Sequence, residues 1–230
     1  MWAVLPVKDL VGAKQRLASV LSPLERRNLF RAMVEDVLAT LSNVAGLDGI
    51  AVVSRDPVVA TLAQAYGARL IEEHENGGQT AAVTAAAARL AAEGVDGLLA
   101  VPGDVPLATP LEIVEVLARH GAAPAMTIVP ARDQQGSNCI ACSPPDAIGF
   151  RFGDGSFRRH LQAARRRGIS ARVIHAPGLG LDIDTPADLE LLLSRPGNTR
   201  AHRYLDVGGI AARLQGRQYD ASARAPQATA

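Results

Sequence analysis

The stretch GIAVVSRDPVVATLAQAYGARLIE, residues 49–72, contains one complete strand–helix–strand unit. Its apolar runs Gly49–Ser54 and Ala68–Glu72 are short and rich in Val, Ile and Leu, which predicts buried strands. Pro57 suits a first helical position, so we predict a helix over Pro57–Tyr66. Two strands joined through a helix predict a parallel pair, because a parallel connection must cross one face of the sheet.

The same alternation continues on both sides of this unit. Trp2–Val7 predicts a strand, and the helix after it begins at Ser22, Pro23 and Glu25 with the pattern of a capping box. The next predicted elements are a helix over Thr80–Glu93, a strand over Gly97–Val101, a helix over Pro110–His120 and a strand over Ala125–Val129. Short strands alternating with longer helices predict an α/β fold with a doubly wound, mostly parallel sheet.

The second half of the chain is less regular, and we expect a smaller antiparallel addition there. Strand-like runs cover Asn138–Cys142 and Ala171–Ala176. Helix-like segments cover Ser156–Arg167 and a run that begins at Thr185.

Beyond Ser194 the pattern fades. We expect a weak helix over Val207–Leu214 and a disordered tail in the last ten residues. With 230 residues, 48% of them hydrophobic, the chain has room for one generous core. The predicted organisation is a single domain over residues 1–194 with a C-terminal extension over 195–230.

Composition excludes several classes of protein. Twenty-four Lys and Arg residues against 23 Asp and Glu residues give a net charge of +1, whereas binders of nucleic acid or membrane surfaces need a basic excess. The chain lacks an apolar run of the roughly 20 residues that a membrane-spanning helix needs, and Lys8 and Asp9 interrupt the N-terminal segment too early for a secretory signal. We therefore expect a cytoplasmic protein that acts on small molecules.

Two cysteines, Cys139 and Cys142, are three residues apart in a strand-like run. Side chains three apart on a strand point to opposite faces, and the sequence nearby has no second Cys/His pair. The spacing therefore favours buried structural thiols over a redox pair or half a zinc site.

Ligands of open α/β sheets bind beyond the carboxyl ends of the strands. The first predicted strand is followed by Pro6, Val7 and Lys8 and then by Lys14 and Arg16, so three cations follow one strand end. This composition suits a loop that binds a polyphosphate. The alternative is a solvated loop that binds no ligand.

Aspartates mark two further loops. Asp104 lies in the Pro- and Gly-containing loop 101–107, where it could hold Mg²⁺ or bond its own turn. Asp182 and Asp184 are two apart on a predicted strand and therefore on one face, and a divalent cation is the simplest reason for such a pair. Asp188 sits at the third position of the next helix, which indicates a structural cap.

Two segments have the composition of anion-binding sites. Gly136–Asn138 and Gly153–Ser156 combine small residues with a hydroxyl at turns, the second directly before a helix. Capping of that helix by Ser156 is the alternative. His160 lies one turn into the helix and is interpreted as a core histidine, with a position facing the site as the other possibility.

Together these motifs resemble the 2-phospho-L-lactate guanylyltransferase family over residues 1–194. The resemblance rests on residues 6–8, residues 14–17, the Asp104 loop, residues 136–138, residues 152–160 and residues 182–189. It implies a Rossmann-like nucleotide-diphosphosugar-transferase fold of the glycosyltransferase-A-like type. It also implies transfer of GMP from GTP to a small phosphorylated acid, with release of pyrophosphate, in deazaflavin coenzyme biosynthesis. The implied acceptors are 2-phospho-L-lactate, phosphoenolpyruvate and 3-phosphoglycerate.

The resemblance also implies roles for individual residues. The catalytic residues would be Lys8, Lys14, Arg16 and Asp104. Nucleotide binding would involve Pro6, Val7, Lys8, Lys14, Arg16, Gly78, Thr80, Pro102 and Asp104. The acid would be bound by Ser137, Asn138, Gly153, Gly155 and Ser156. Asp104, Asp182 and Asp184 would hold Mg²⁺.

The sequence departs from the family pattern at two places. Gly78-Gln79-Thr80 stands where Gly-Leu-Asn is expected, and Gly136-Ser137-Asn138 replaces Gly-Thr-Asn. Two alternatives therefore stay open: a related nucleotidyltransferase acting on a sugar phosphate or molybdenum cofactor, and a non-catalytic nucleotide-binding module. A homodimer is an expectation at the level of the family alone.

Overall fold

The computed structural model describes residues 1–72, 77–214 and 216. The strands are β1 (Trp2–Pro6), β2 (Gly49–Ser54), β3 (Arg69–Glu72), β4 (Leu98–Ala100), β5 (Ala125–Pro130), β6 (Ser137–Ser143) and β7 (Arg172–Val173). The α-helices are α1 (Pro23–Ser42), α2 (Pro57–Ala65), α3 (Gly78–Ala92), α4 (Pro110–Ala118), α5 (Ser156–Arg166), α6 (Pro186–Ser194) and α7 (Arg200–Val207). Residues 210–214 are also helical.

All seven strands form one sheet in the order β3-β2-β1-β4-β6-β5-β7. Strands β1 to β4 pair in parallel, which confirms the predicted α/β class with a mostly parallel sheet. The chain runs outward from β1 through β2 to β3 and then crosses to β4 on the other side of β1. The order of the strands therefore reverses between β1 and β4, and the carboxyl ends of these two strands flank the crevice where such sheets bind ligands.

The predicted smaller antiparallel addition is present. Among the described strands β6 alone runs against its neighbours, β4 and β5, whereas β7 pairs in parallel with β5. The predicted strand Ala171–Ala176 forms only over Arg172–Val173. Because β6 is reversed, it begins at the edge where β1 and β4 end.

Apolar side chains cover both faces of the sheet, as the near-continuous hydrophobic strands require. One core packs β1 and β2 against α1, α2 and α4, and the other packs them against α3 and α5. Cys139 belongs to the first core and Cys142 to the second, which confirms buried thiols on opposite faces. Burial raises the pKa of Cys142 to about 12.

The C-terminal extension corrects a second expectation. The predicted weak helix over Val207–Leu214 is present over residues 210–214, but α7, which precedes it and begins at Arg200, was not predicted. Its first amides are held by a distant residue: the Asp36 carboxylate of α1 accepts from the backbone nitrogens of Arg200 and Ala201, at 2.7 and 2.9 Å. The expected disordered tail lies outside the described residues. Among the described helices, none combines the length and the apolar character needed to cross a bilayer.

Candidate active site

Two adjoining cavities open at the carboxyl ends of β1 and β4. The first, which we name the β1 cavity, has a volume of about 300 Å³ and lies beside the loop after β1. The second, the β6 cavity, has a volume of about 460 Å³ and lies beside the start of β6. Asp104 and Asp184 line both cavities, so any two ligands in them would meet at these carboxylates.

The loop after β4 places Asp104 between the cavities. Its backbone turns tightly against α1 at Gly103, where a Cβ atom would come within 2.9 Å of Val34 Cγ2. The Asp104 carbonyl oxygen accepts from the Ile183 amide at 3.0 Å and thereby fixes the 182–184 segment next to it. That segment forms no strand, contrary to the prediction. Alternate burial of its side chains still puts Asp182 and Asp184 on one side.

Lys14 joins two of the three aspartates. Its Nζ lies 2.5 Å from Asp104 Oδ2 and 2.6 Å from Asp184 Oδ1, and its side chain is only 5% exposed. Burial alone would lower the pKa of Lys14, but the two carboxylates outweigh burial and raise it above its ordinary value. The ammonium is therefore charged, and it neutralises part of the repulsion between the carboxylates.

Asp182 is held separately. Its Oδ1 accepts from Asn138 Nδ2 at 2.9 Å, which ties the 182–184 segment to the start of β6. Burial, followed by the neighbouring charge of Asp104, raises the pKa of Asp182 above its ordinary value. Three carboxylates and one ammonium thus leave this part of the site with an excess of negative charge.

The carboxylate oxygens around Asp104 suit a hard divalent cation. Asp104 Oδ1 is buried and has no hydrogen-bond partner among the described residues, so it retains an unused acceptor. The other available atoms are carboxylate oxygens, which Mg²⁺ prefers. In the described part of the chain no three Asp, Glu, His or Cys side chains are grouped so as to hold a metal ion, and the Lys14 ammonium lies between Asp104 and Asp184.

The remaining predicted nucleotide-binding residues are distributed over the two cavities. Pro6, Lys8 and Gly78 line the β1 cavity together with Lys14, and Pro102 lines both cavities. Arg16 lines the β6 cavity, and its Nη1 lies 4.0 Å from Asp184 Oδ2. Val7 lines neither cavity: its side chain is part of the core, and its amide donates to the Val53 carbonyl.

The predicted acid-binding residues gather at the β6 cavity. Ser137, Asn138, Gly153 and Ser156 line it, whereas Gly155 lies behind them as the left-handed N-cap of α5. Thr80 lines neither cavity. Its Oγ1 accepts from the Phe152 amide at 3.0 Å, so Thr80 anchors the loop that precedes α5.

His160 is buried and bonded at both ring nitrogens, which agrees with its interpretation as a core histidine. One of its partners, Ser137, is nevertheless part of the cavity wall. Asp188 completes a capping box with Thr185, as predicted, and also lies 3.5 Å from an Arg132 nitrogen.

The sequence analysis missed several residues that line the cavities. Arg132, Asp133 and Gln135 follow β5 and line the β6 cavity, while Asp9 and Phe30 line the β1 cavity. The residues after β5 could have been found by the rule used for β1 and β4, because β5 ends at the same edge of the sheet.

Comparison with known proteins identifies the family of this chain. The family model described as guanylyl transferase CofC like matches residues 1–219. The chain belongs to this family. As a CofC-like guanylyl transferase it is a nucleotidyltransferase, which makes a non-catalytic module untenable.

Curated relatives of this CofC-like chain have three different names. It is 41% identical to the phosphoenolpyruvate guanylyltransferase of Rubrobacter xylanophilus, covering 86% of this chain and 95% of the relative. It is 34% identical to the 2-phospho-L-lactate guanylyltransferase of Methanothermobacter thermautotrophicus, covering 88% of each. It is also 34% identical to the 3-phospho-D-glycerate guanylyltransferase of Colwellia psychrerythraea, covering 84% of this chain and 92% of the relative.

Solved structures confirm the nucleotide-diphosphosugar-transferase fold. A Desulfovibrio desulfuricans structure described as a nucleotide-diphospho-sugar transferase superimposes with a TM-score of 0.73 at 17% identity, covering 93% of this chain and 97% of that one. A nucleotidyl transferase from Methanothermobacter thermautotrophicus gives a TM-score of 0.63 at 19% identity, covering 84% and 95%.

Proposed function

We propose that this chain transfers GMP from GTP to the phosphate of a small phosphorylated three-carbon acid and releases pyrophosphate. The candidate acids are phosphoenolpyruvate, 2-phospho-L-lactate and 3-phosphoglycerate, each of which appears in the name of a relative. The observation that carries the proposal is the pair of cavities that share Asp104 and Asp184. One cavity has a cationic loop, and the other has a wall of small residues and hydroxyl groups.

The two cavities suit the two substrates. The β1 cavity offers Lys8 and the loop around Gly12 to a triphosphate. The β6 cavity offers the Ser137 hydroxyl and the small residue Gly153 to a phosphate, and Ser156 lies in the same wall. Its rim carries the guanidinium of Arg16, which suits the negative charge of either substrate.

The reaction needs no strong general base. A phosphate monoester has a second pKa near ~6, so the acceptor oxygen is already ionised at neutral pH. This oxygen forms a bond to the α-phosphorus of GTP while the bond from that phosphorus to the bridging β-phosphate oxygen breaks. The electron pair leaves with pyrophosphate, and Lys8, which lines the β1 cavity, would offset the charge on the β- and γ-phosphates.

The main barrier is then the approach of two anions in a site that already contains carboxylates. Asp104, Asp182 and Asp184 would hold a magnesium ion, which when bound offsets phosphate charge and aligns the phosphates. Lys14 keeps Asp104 and Asp184 close together and oriented, since its ammonium bonds both. We propose deazaflavin coenzyme assembly as the setting of this reaction, following the family resemblance.

The test is product analysis with purified protein. GTP and Mg²⁺ are incubated with each of the three acids separately, pyrophosphate is measured, and the product is identified by mass spectrometry. The expected product is the acid joined through its phosphate to GMP, with pyrophosphate release only when an acid is present. Sugar 1-phosphates serve as control acceptors. Transfer to a sugar phosphate and to none of the three acids would contradict the proposal.

A further inference from the structure

The wall of the β6 cavity is backed by a histidine whose two ring nitrogens have different partners. His160 lies one turn into α5 and is fully buried. Its Nε2 is 2.9 Å from the Arg151 amide nitrogen, and its Nδ1 is 2.9 Å from Ser137 Oγ. The Phe152 ring packs edge-on against the imidazole at 5.1 Å. The orientation of the imidazole is therefore fixed from three sides.

These partners determine where the proton of the imidazole lies. A backbone N–H can only donate, so Nε2 must be the unprotonated nitrogen that accepts from Arg151. Burial, assisted by the charge of Arg159, lowers the pKa of His160 to about 4, so the ring is neutral at pH 7. A neutral imidazole has one N–H, which is therefore on Nδ1, so Nδ1 faces Ser137 Oγ as a donor and cannot accept from it. The Ser156 backbone is a second hydrogen-bond partner of the ring.

The donated hydrogen bond in turn determines what Ser137 offers to the cavity. Ser137 Oγ also accepts from Ser156 Oγ at 3.3 Å. With both lone pairs occupied, the only hydrogen-bonding capacity left on the hydroxyl is its own proton. Ser137 and Ser156 both line the β6 cavity, so this proton is presented to a ligand there.

We infer that His160 is a positioning residue that fixes the Ser137 hydroxyl as a hydrogen-bond donor toward the substrate. A wall that presents donors favours oxygens that can only accept, as in a phosphate dianion or a carboxylate, over hydroxyl groups. His160 does not touch the substrate and acts through Ser137. The inference rests on the proposed function for the identity of the ligand, the phosphorylated acid.

The same histidine also anchors the loop before α5. The Arg151 amide is bound by His160 and the next amide, that of Phe152, is bound by Thr80. Two consecutive amides are thus held by side chains from two helices, α5 and α3. Gly153, the next residue, is held against the cavity by these two bonds.

The kinetic test uses variants that separate the two ring nitrogens. In His160→Gln the side-chain oxygen can accept from Arg151 near the former Nε2, but no donor remains near Nδ1. We expect the KM for phosphoenolpyruvate to rise about tenfold with little change in kcat, because one hydrogen bond to the bound acid loses its orientation. In His160→Asn an amide N–H lies near the former Nδ1, so the KM should return toward the wild-type value.

A double-mutant cycle tests whether His160 acts through Ser137. Ser137→Ala should raise the KM for phosphoenolpyruvate, and adding His160→Gln should raise it no further. Multiplication of the two effects in the double variant would overturn the inference, as would an unchanged KM in His160→Gln.

His120→Gln provides the matched control. His120 is partly buried and bonded to the Thr127 and Ser143 hydroxyls, but it lines neither cavity. This variant should lower the melting temperature without changing the KM for phosphoenolpyruvate. A rise in KM equal to that of His160→Gln would mean that loss of stability explains both results, and the inference would fail.

A measurement on the wild-type protein needs neither substrate nor variant. Two-bond ¹H–¹⁵N NMR of ¹⁵N-histidine-labelled protein at pH 7 should show His160 protonated on Nδ1. Protonation on Nε2 would overturn the inference. This readout also distinguishes the two proposals, because failure of GMP transfer to all three acids would contradict the proposed function while leaving the NMR result to test the position of the proton.

Discussion

Asp104 is the residue that connects the two cavities. It lines both, it bonds Lys14 through Oδ2, and its Oδ1 is buried without a partner in the described structure. Asp104→Asn keeps the shape of the side chain but removes its charge. We expect turnover to fall by a factor of roughly 100 or more, the usual loss for one preorganised electrostatic contact.

Asp48→Asn is the control for this substitution. Asp48 precedes β2 and bonds the N-terminal ammonium at the opposite edge of the sheet, so its loss should leave turnover unchanged. Steady-state rates of pyrophosphate release measure both variants. Equal rates for Asp104→Asn and the wild type would contradict the electrostatic role of this carboxylate.

A second prediction concerns the contribution of Lys14 to stability. Lys14→Met keeps an apolar stem of similar length but leaves Asp104 and Asp184 facing each other without a cation. The free energy of unfolding should fall by about 2 kcal/mol, less than for a fully buried pair because Asp184 is 40% exposed. Urea denaturation measures the change. If the ion pair is replaceable by a divalent cation, Mg²⁺ should restore more stability to this variant than to the wild type.

The pairing of Lys14 shows what a sequence cannot reveal about a site. Three Asp residues and one Lys were each selected from their positions near strand ends. Their selection needed only local pattern, but Lys14 lies 90 positions from Asp104 and 170 from Asp184. The sequence therefore indicated a cationic loop for phosphate, whereas the structure shows the Lys14 ammonium bound between two carboxylates.

At the level of the secondary-structure elements, local capping patterns in the sequence predicted where helices begin. Contacts between distant residues could not be predicted in this way. Capping boxes begin α1, α4 and α6, and each was visible as a Ser or Thr followed three residues later by an acid. The start of α7 was not predicted, although Thr199 caps it by accepting from the His202 amide. Its first two amides are bound by Asp36 of α1, a contact between distant residues. The short extent of β7 depends on neighbouring strands, whereas the antiparallel addition predicted to include Asn138–Cys142 is formed by β6.

The capping box of α6 has a consequence for the site. Thr185 caps this helix and directly follows Asp184, so the cap fixes the backbone next to a site carboxylate. Thr185→Ala should lower the free energy of unfolding by about 1 kcal/mol and also reduce turnover, because Asp184 loses its fixed orientation. Thr109→Ala removes the equivalent cap of α4, which lies outside both cavities, and should cost similar stability without changing turnover. Equal turnover in both variants would contradict the link between the cap and Asp184.

The stability of the whole molecule should depend on pH because the protonation of His160 differs between the folded and unfolded states. The folded protein holds the pKa of His160 at about 4, whereas in the unfolded chain it returns to near 6.5. Between these values the unfolded state binds the proton and the folded state does not. The contribution of His160 to the free energy of unfolding is therefore fully present above pH 6.5. It is lost as the pH falls toward 4, by at most about 3 kcal/mol.

The comparison that isolates this effect is wild type against His160→Gln, because glutamine does not titrate. Burial raises the pKa of the Asp36 carboxyl, which weakens the fold as the pH rises, the opposite sign to His160. Burial lowers the pKa of His120, which has the same sign as His160. Both contributions are common to the two proteins and cancel in the difference between their free energies of unfolding. The difference should change steadily from pH 6.5 to pH 4.5 in favour of the glutamine variant. A constant difference would show that His160 titrates equally in the folded and unfolded states, and that Nε2 is free to take up a proton in place of the Arg151 amide.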